Sequence, residues 1–235
     1  MFGDSIFLSA TPRSCLVGHM ERVLLLANGS WDTSGMLEAL LPQVSFVIAA
    51  DGAWDQALAR GIPVDAVIGD FDSTQIDPDT LSTRLPELHR FPADKDWTDL
   101  ELALDLAIER GPQEIVIYGA LGGRLDHTLA NLALLARGRA HSVAVCILSG
   151  LETLRLVDDS LVLANAMPGD TVSLIPVSDD VRVSSLGLRY PLDNERLILG
   201  ATRGVSNVVR EIPASLRVHS GSVLVVHGKQ VDRND

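Results

Sequence analysis

Six aspartates between positions 51 and 99 each follow a short apolar run at a turn, a placement that suits metal-dependent phosphate chemistry. Asp51 follows Phe46-Val47-Ile48-Ala49-Ala50, Asp70 and Asp72 follow Ala66-Val67-Ile68-Gly69, and Asp94, Asp96 and Asp99 follow Phe91-Pro92. In an open parallel α/β sheet the loops after strand ends share one crevice, where such folds bind ligands. Carboxylates gathered there need a counter-charge, and a hard cation such as Mg²⁺ is the usual answer. Gly69 precedes Asp70-Phe71-Asp72, so two carboxylates two residues apart share an ion if the backbone turns. An acidic surface turn is the plainer reading of that motif alone. The recurrence of Asp51, Asp96 and Asp99 at neighbouring strand ends weighs against it. Lys95, one of only two lysines in the chain, lies between Asp94 and Asp96. It is either a local neutraliser or a point charge for a nucleotide phosphate.

Two glycine-bearing turns could hold that phosphate. Asn28-Gly29-Ser30 follows the first apolar run, where a glycine lets backbone N–H groups approach an anion; a plain βα turn explains it equally well. Gly119-Ala120-Leu121-Gly122-Gly123-Arg124-Leu125-Asp126-His127 links a strand to a helix. Three glycines and an arginine at a helix entry suit a polyphosphate, through N–H groups and a guanidinium fork. His127 and Asn131 share one face of that helix. A lone histidine is more often structural than a ligand, and no second His or Cys stands at metal-ligand spacing, so zinc is not indicated. The chain has neither a Walker A lysine motif nor a nucleophile elbow.

The elements that must position these residues alternate. Apolar runs at Val23–Ala27, Phe46–Ala50, Ala66–Ile68, Leu88–Phe91, Ile115–Tyr118 and Val143–Leu148 are separated by helical patterns at about 34–41, 53–60, 76–84, 98–110 and 125–137, the signature of βαβ units. Thr98 and Glu101 read as a capping box for the fourth helix, and Leu100, Ala103, Leu104 and Ala107 as its apolar face. Gly111-Pro112 stops it. Asp99 then lies in the first turn, where the macrodipole favours an anion. After Ser149-Gly150 the runs become short and β-branched between Pro, Gly, Asp and Asn, as in an all-β sandwich or barrel. The expected division is an extension at 1–19 outside the fold, an α/β domain at 20–148 and an all-β domain at 149–235.

Composition bounds the function. Of 235 residues 46% are hydrophobic and 21% charged, enough for a core, with a net charge of −12. Segment 51–126 holds 16 Asp/Glu against 6 Lys/Arg, so the acid excess is concentrated where the candidate site lies. Phosphate backbones want basic faces, so a nucleic-acid partner is not expected. Two cysteines, Cys15 and Cys146, give no disulfide framework, and Cys146 reads as a small core residue. No apolar run reaches the roughly 18 residues of a membrane span. A cytoplasmic protein is expected.

Taken together, DGAWDQALARGIPVDAVIGDFDS at 51–73, DKDWTDLELAL at 94–104, GALGGRLDHTLANL at 119–132 and RGVSN at 203–207 resemble the thiamine pyrophosphokinase family, in its order and over both halves of the chain. The resemblance implies an α/β catalytic domain with a mostly parallel, Rossmann-like sheet and a C-terminal β-sandwich. It also implies a homodimer with thiamine at the subunit interface. The reaction implied is transfer of diphosphate from ATP to the thiamine hydroxyl, giving thiamine diphosphate and AMP with Mg²⁺. Asp70, Asp72 and Asp99 match the family's metal-binding carboxylates, and Asp51 a further acidic position. Lys95, Asp96 and Thr98 belong to the matching loop, Arg124, Asp126 and His127 to the nucleotide and substrate region, and Ser206 and Asn207 to a motif near thiamine. ATP contacts are thus expected from Asn28, Gly29, Lys95, Gly122, Gly123 and Arg124, and acceptor contacts from Thr98, Asp126, His127, Asn131, Ser206 and Asn207. Two departures stand out: Asp51-Gly52-Ala53 where the family commonly has Asp-Gly-Gly, and Val208 where it often has an acid.

Phosphoryl-type transfer rests on positioning and charge neutralisation, and the proton of the acceptor hydroxyl could pass to Asp51, Asp96 or Asp126. Two rivals are set against this reading. Asp70-Phe71-Asp72-Ser73-Thr74 also fits the D-x-D-x-T pattern of aspartyl-phosphate phosphatases, but that pattern belongs after a first strand and leaves Asp51 and the glycine turn unexplained. A silent thiamine or nucleotide sensor has no need of carboxylates at every catalytic position.

Overall fold

Val23 to Leu26 are all fully buried, with no alternation between faces, as in a parallel strand covered on both sides. The computed structural model describes residues 22–71, 87–92, 94 and 96–230. The 1–19 extension, the helix expected at 76–84, Asp72 and Lys95 lie outside them. The first part of the chain runs β1 (Arg22–Leu26), α1 (Met36–Leu40), a 3-10 turn (Leu41–Gln43), β2 (Phe46–Ala50), α2 (Ala53–Ala59), β3 (Ala66–Gly69), β4 (Glu87–Arg90), α3 (Asp99–Glu109), β5 (Glu114–Tyr118), α4 (Leu125–Ala133), α5 (Leu135–Ala140) and β6 (Ala144–Ser149). The rest is strands: β7 (Glu152–Val157), β8 (Ser160–Val162), β9 (Thr171–Pro176), β10 (Val181–Leu186), β11 (Glu195–Leu197), β12 (Asn207–Val208), β13 (Ser215–Ser220) and β14 (Val223–Gly228).

One sheet of ten strands runs β4-β3-β2-β1-β5-β6-β7-β14-β9-β12. The six strands from β4 to β6 are parallel; β7, β14, β9 and β12 continue the sheet antiparallel. The chain steps outward from β1 to β4 on one side and returns to β5 and β6 on the other. That reversal opens a crevice beyond the carboxyl ends of β1 and β5. Val23, Leu25, Ile48, Ile68, Ile115 and Ile147 share a core with α3 and with Leu135 of α5 on one face, while Leu24, Leu26, Val47, Val67 and Val116 share one with α1 and α2 on the other. A second sheet, β11-β10-β13-β8, covers β9 and β14 through a core that includes Val172, Leu174, Val183, Leu216, Val218, Val223 and Val225. The sandwich therefore borrows one of its two sheets from the α/β part. Among the described residues no helix is long and apolar enough to cross a membrane.

The helix expected over 125–137 is two helices. Arg137 N donates to Leu134 O at 3.0 Å, an i→i+3 bond that tightens the chain at Leu134 and turns Leu135 and Gly138 inward to burial. Periodicity alone cannot register that local tightening.

Candidate active site

Three carboxylates from different elements converge beyond the strand ends. Asp51 follows β2, Asp70 follows β3 and Asp99 opens α3, and each offers an oxygen within 4.8 Å of the other two. At that separation each pair of charges repels by about 3 kcal/mol at an effective dielectric constant of about 20, so the trio asks for a cation. Oxygen donors of this number and charge suit Mg²⁺. Asp51 is buried, at 8% exposure, and its backbone is turned to φ 30, with its N–H on Ile68 O at 2.8 Å and its C=O taking Trp54 N–H at 2.9 Å. Ala53, in place of the family's second glycine, is fully buried at the start of α2 and leaves the aspartate where it is.

Gly69 makes the approach of β2 and β3 possible. A Cβ there would lie 2.9 Å from Asp51 Cβ, closer than carbon atoms pack. Gly69→Ala is expected to displace Asp51 and to raise the Mg²⁺ concentration for half-maximal activity about tenfold, the size typical of disturbed ligand positioning. A magnesium titration of the folded variant checks this; an unshifted midpoint would count against the trio as the cation site.

Two loops form the opposite wall. Gly29 N donates to Gly119 O and Ser30 N to Leu121 O, both at 2.8 Å, joining the turns after β1 and β5. The contact tolerates no side chain at Gly29, whose Cβ would lie 2.4 Å from Gly119 O. Gly122 and Gly123 both have positive φ, at 91° and 69°, and lead into Arg124 at the start of α4. Asn131, buried on α4, donates from Nδ2 to Ala120 O at 2.7 Å and ties the helix to the same loop.

The resulting crevice, about 670 Å³, is lined by Asn28, Gly29, Asp51, Gly52, Asp70, Trp97, Thr98, Asp99, Gly122, Gly123, Arg124, His127 and Asn131. Thr98 Oγ1 caps α3, accepting from Glu101 N at 3.2 Å. The reciprocal half of the expected capping box is replaced by an ion pair of Glu101 with Arg137 at 2.9 Å. Trp97 is a wall residue that sequence reasoning passed over; it is 52% exposed, and an isolated indole between Asp96 and Thr98 carries no spacing signal.

Other expected residues lie elsewhere. Asp96 is exposed and outside the lining. Asp126 is exposed too and forks with Arg124, Nη2 to Oδ2 at 2.5 Å and Nε to Oδ1 at 3.1 Å; that guanidinium holds its carboxyl down at about 2. Ser206 and Asn207 lie at the far edge of the large sheet. Asn207 is buried, accepting from Tyr190 N at 3.0 Å and Val208 N at 2.9 Å and donating to Tyr190 O at 2.7 Å. In this chain it fastens its own loop.

The fold and crevice define an α/β protein with a β-sandwich extension and an acidic, glycine-walled ligand crevice at its strand ends. Residues 37–147 match the family described as thiamin pyrophosphokinase, catalytic domain, and residues 160–223 the family described as thiamin pyrophosphokinase, vitamin B1 binding domain. Thiamine pyrophosphokinase of Bacillus subtilis is 34% identical over 201 residues, 80% of this chain and 89% of the relative. Thiamin pyrophosphokinase 1 of Caenorhabditis elegans is 29% identical over 206 residues, 82% and 83%. The crystal structure of thiamine pyrophosphokinase from Bacillus subtilis superposes with a TM-score of 0.78 at 26% identity, covering 90% of this chain and all of that one. The chain belongs to the thiamine pyrophosphokinase family.

Proposed function

We propose that the chain catalyses Mg²⁺-dependent transfer of diphosphate from ATP to the hydroxyl of thiamine, yielding thiamine diphosphate and AMP. Family membership supports the reaction, and the observation that carries it to this chain is the convergence of Asp51, Asp70 and Asp99 opposite the glycine loops. The α/β part up to about residue 148 is the catalytic domain, and the strands from 149 onward are the thiamine-binding and dimerisation domain. Asp51, Asp70 and Asp99 hold the metal, with Asp72 a fourth candidate. Bound there, Mg²⁺ neutralises charge on the ATP phosphates. Backbone N–H groups of the Asn28–Gly29 and Gly122–Gly123 turns, with Arg124 and Lys95, fix the polyphosphate so that the acceptor oxygen attacks in line. Of Asp51, Asp96 and Asp126, Asp51 alone lines the crevice, where it serves as a metal ligand rather than as the acceptor of the hydroxyl proton. The acidic wall also steers a substrate with a fixed positive ring.

A homodimer follows from the same reading. Strands β2 and β12 stand seven positions apart in the large sheet, roughly 34 Å at about 4.8 Å per strand. Thiamine is too small to touch Asp51 and Asn207 of one chain, so the Ser206–Asn207 loop serves the crevice of a partner. A cytoplasmic location accords with the ATP requirement and the sparse cysteines.

The deciding experiment incubates the purified protein with ATP, Mg²⁺ and thiamine and identifies the nucleotide product. AMP released only with thiamine, matched by thiamine diphosphate, is the expected result. ADP would mean an ordinary kinase, inorganic phosphate without thiamine the phosphatase, and binding without turnover the sensor.

A further inference from the structure

Beyond the crevice, on the outer side of the loop after β1, a polar cluster joins three segments distant in sequence. Asp32 Oδ2 accepts from Tyr118 Oη at 2.9 Å and from Gly150 N at 2.8 Å. Its Oδ1 accepts from Ser34 N at 2.8 Å, and Asp32 N donates back to Tyr118 Oη at 3.1 Å. Tyr118 is 1% exposed at the end of β5, so its phenol leaves the core only to reach this carboxylate. Trp31 stands edge-on to Tyr118, with ring centroids 5.4 Å apart, and donates from Nε1 to Ala27 O at 2.8 Å. The Arg60 guanidinium lies over the Trp31 ring, 5.2 Å from its centroid, and donates to Asp32 O at 3.1 Å.

These contacts bracket both phosphate-facing loops. Asn28–Ser30 lies between Ala27 and Trp31, and Gly119–Gly123 begins at the residue after Tyr118. Trp31 also presses on Gly119, where a Cβ would come within 2.4 Å of its Nε1. Burial pushes against ionisation of Asp32, but hydrogen bonds from Ser34, Tyr118 and Gly150 hold its carboxyl well below the usual carboxylate range. Burial beside that carboxylate pushes the Tyr118 phenol up to about 12. The pair is therefore a fixed anion and a fixed O–H donor at neutral pH.

We propose that Asp32 and Tyr118 are positioning residues for ATP: their hydrogen bond, anchored on Gly150, sets the spacing of the Asn28–Ser30 and Gly119–Gly123 loops that receive the polyphosphate. This rests on the reading of the crevice as the ATP site. Tyr118→Phe keeps the buried ring and removes the donor; Asp32→Asn keeps the shape and removes the charge. Losing a hydrogen bond to a charged group is large enough to weaken ATP binding about tenfold.

The test measures ATP binding in the presence of Mg²⁺ by calorimetry, together with KM for ATP, KM for thiamine and kcat, on the wild type and the folded variants Tyr118→Phe, Asp32→Asn and Asp32→Ala. The expected outcome is a tenfold rise in Kd and KM for ATP, with KM for thiamine and kcat within about twofold. A smaller shift in Asp32→Asn than in Asp32→Ala, through the retained amide oxygen, would support the hydrogen bond as the cause. Unchanged ATP binding in Tyr118→Phe and Asp32→Asn beside a wild type that binds ATP overturns the inference alone. So does a fall in kcat in proportion to lost folded protein with both KM values unmoved. A wild type that binds no ATP overturns the crevice reading itself, and the inference with it.

Discussion

Asp70→Asn is expected to lower thiamine-dependent AMP release by about a thousandfold, some 4 kcal/mol of transition-state stabilisation, with little change in thermal stability. Asp70 is half-buried at the end of β3, outside the apolar clusters, so its replacement by an isosteric amide leaves packing intact. What changes is charge. The trio loses one of its three negative charges at the proposed cation site, and an amide oxygen is a poorer ligand for a hard ion. Steady-state rates at saturating ATP, with a magnesium titration and a melting curve, check the prediction. Turnover within a few-fold of wild type would remove Asp70 from the site.

The second large effect concerns stability. Asp170, 2% exposed, is a buried carboxylate at the start of β9. Its Oδ2 receives His227 Nε2 at 2.8 Å, Met167 N at 3.0 Å and Lys229 Nζ at 3.1 Å, and its Oδ1 receives Gln230 N at 3.0 Å. Asp170→Ala leaves the buried His227 and the half-buried Lys229 without their anion, and breaking such a cluster from one side costs about 3–5 kcal/mol. In a chain of this length that is a fall in Tm of about 10 °C. The pH dependence has a definite sign. Burial works against the charge, but the bonded N–H groups hold this carboxyl at about 2, below its ordinary 3.8. The folded state thus binds the proton less readily than the unfolded chain. The contribution is complete above about pH 4 and drains away as pH falls toward 2. Melting curves across that window should show the wild type and Asp170→Ala converging at the acid end; a constant gap between them would refute the assignment. Gly169 N and Asp170 O also pair with Val209 at 2.8 Å each, so the same substitution is expected to loosen the segment beside Ser206 and Asn207.

Much of this was legible in the chain because local rules and tertiary demands coincide. β2 has the expected bounds, Thr98 caps the helix that Asp99 opens, and the aspartates after three different strands converge because a parallel sheet aligns its carboxyl ends. What escaped the sequence depends on partners distant along the chain. Asp32 meets Tyr118 across 86 residues, with no motif at either. The bonds of the Asn207 amide to Tyr190 are likewise set by the sandwich, 17 residues away along the chain. β7 shows no clean period in the sequence because Glu152 and Arg155 interrupt its apolar residues; Arg155 is accommodated by an ion pair with Glu114 at 3.3 Å. β11 and β12, of three and two residues, are too short to show a period.

The antiparallel seam between β6 and β7, paired from Cys146 with Arg155 to Ser149 with Glu152, has a mechanical consequence. Many kinases close by swinging one lobe against another about a pliable linker. Here no linker separates the halves: backbone hydrogen bonds run unbroken across the junction, and bending there would rupture several at once. The ten-strand sheet is thus one continuous hydrogen-bonded unit, with the acidic crevice toward one edge and the Ser206–Asn207 loop at the other. A hinge between the halves is therefore excluded by the sheet itself, and any closure over the crevice is left to short segments at its rim.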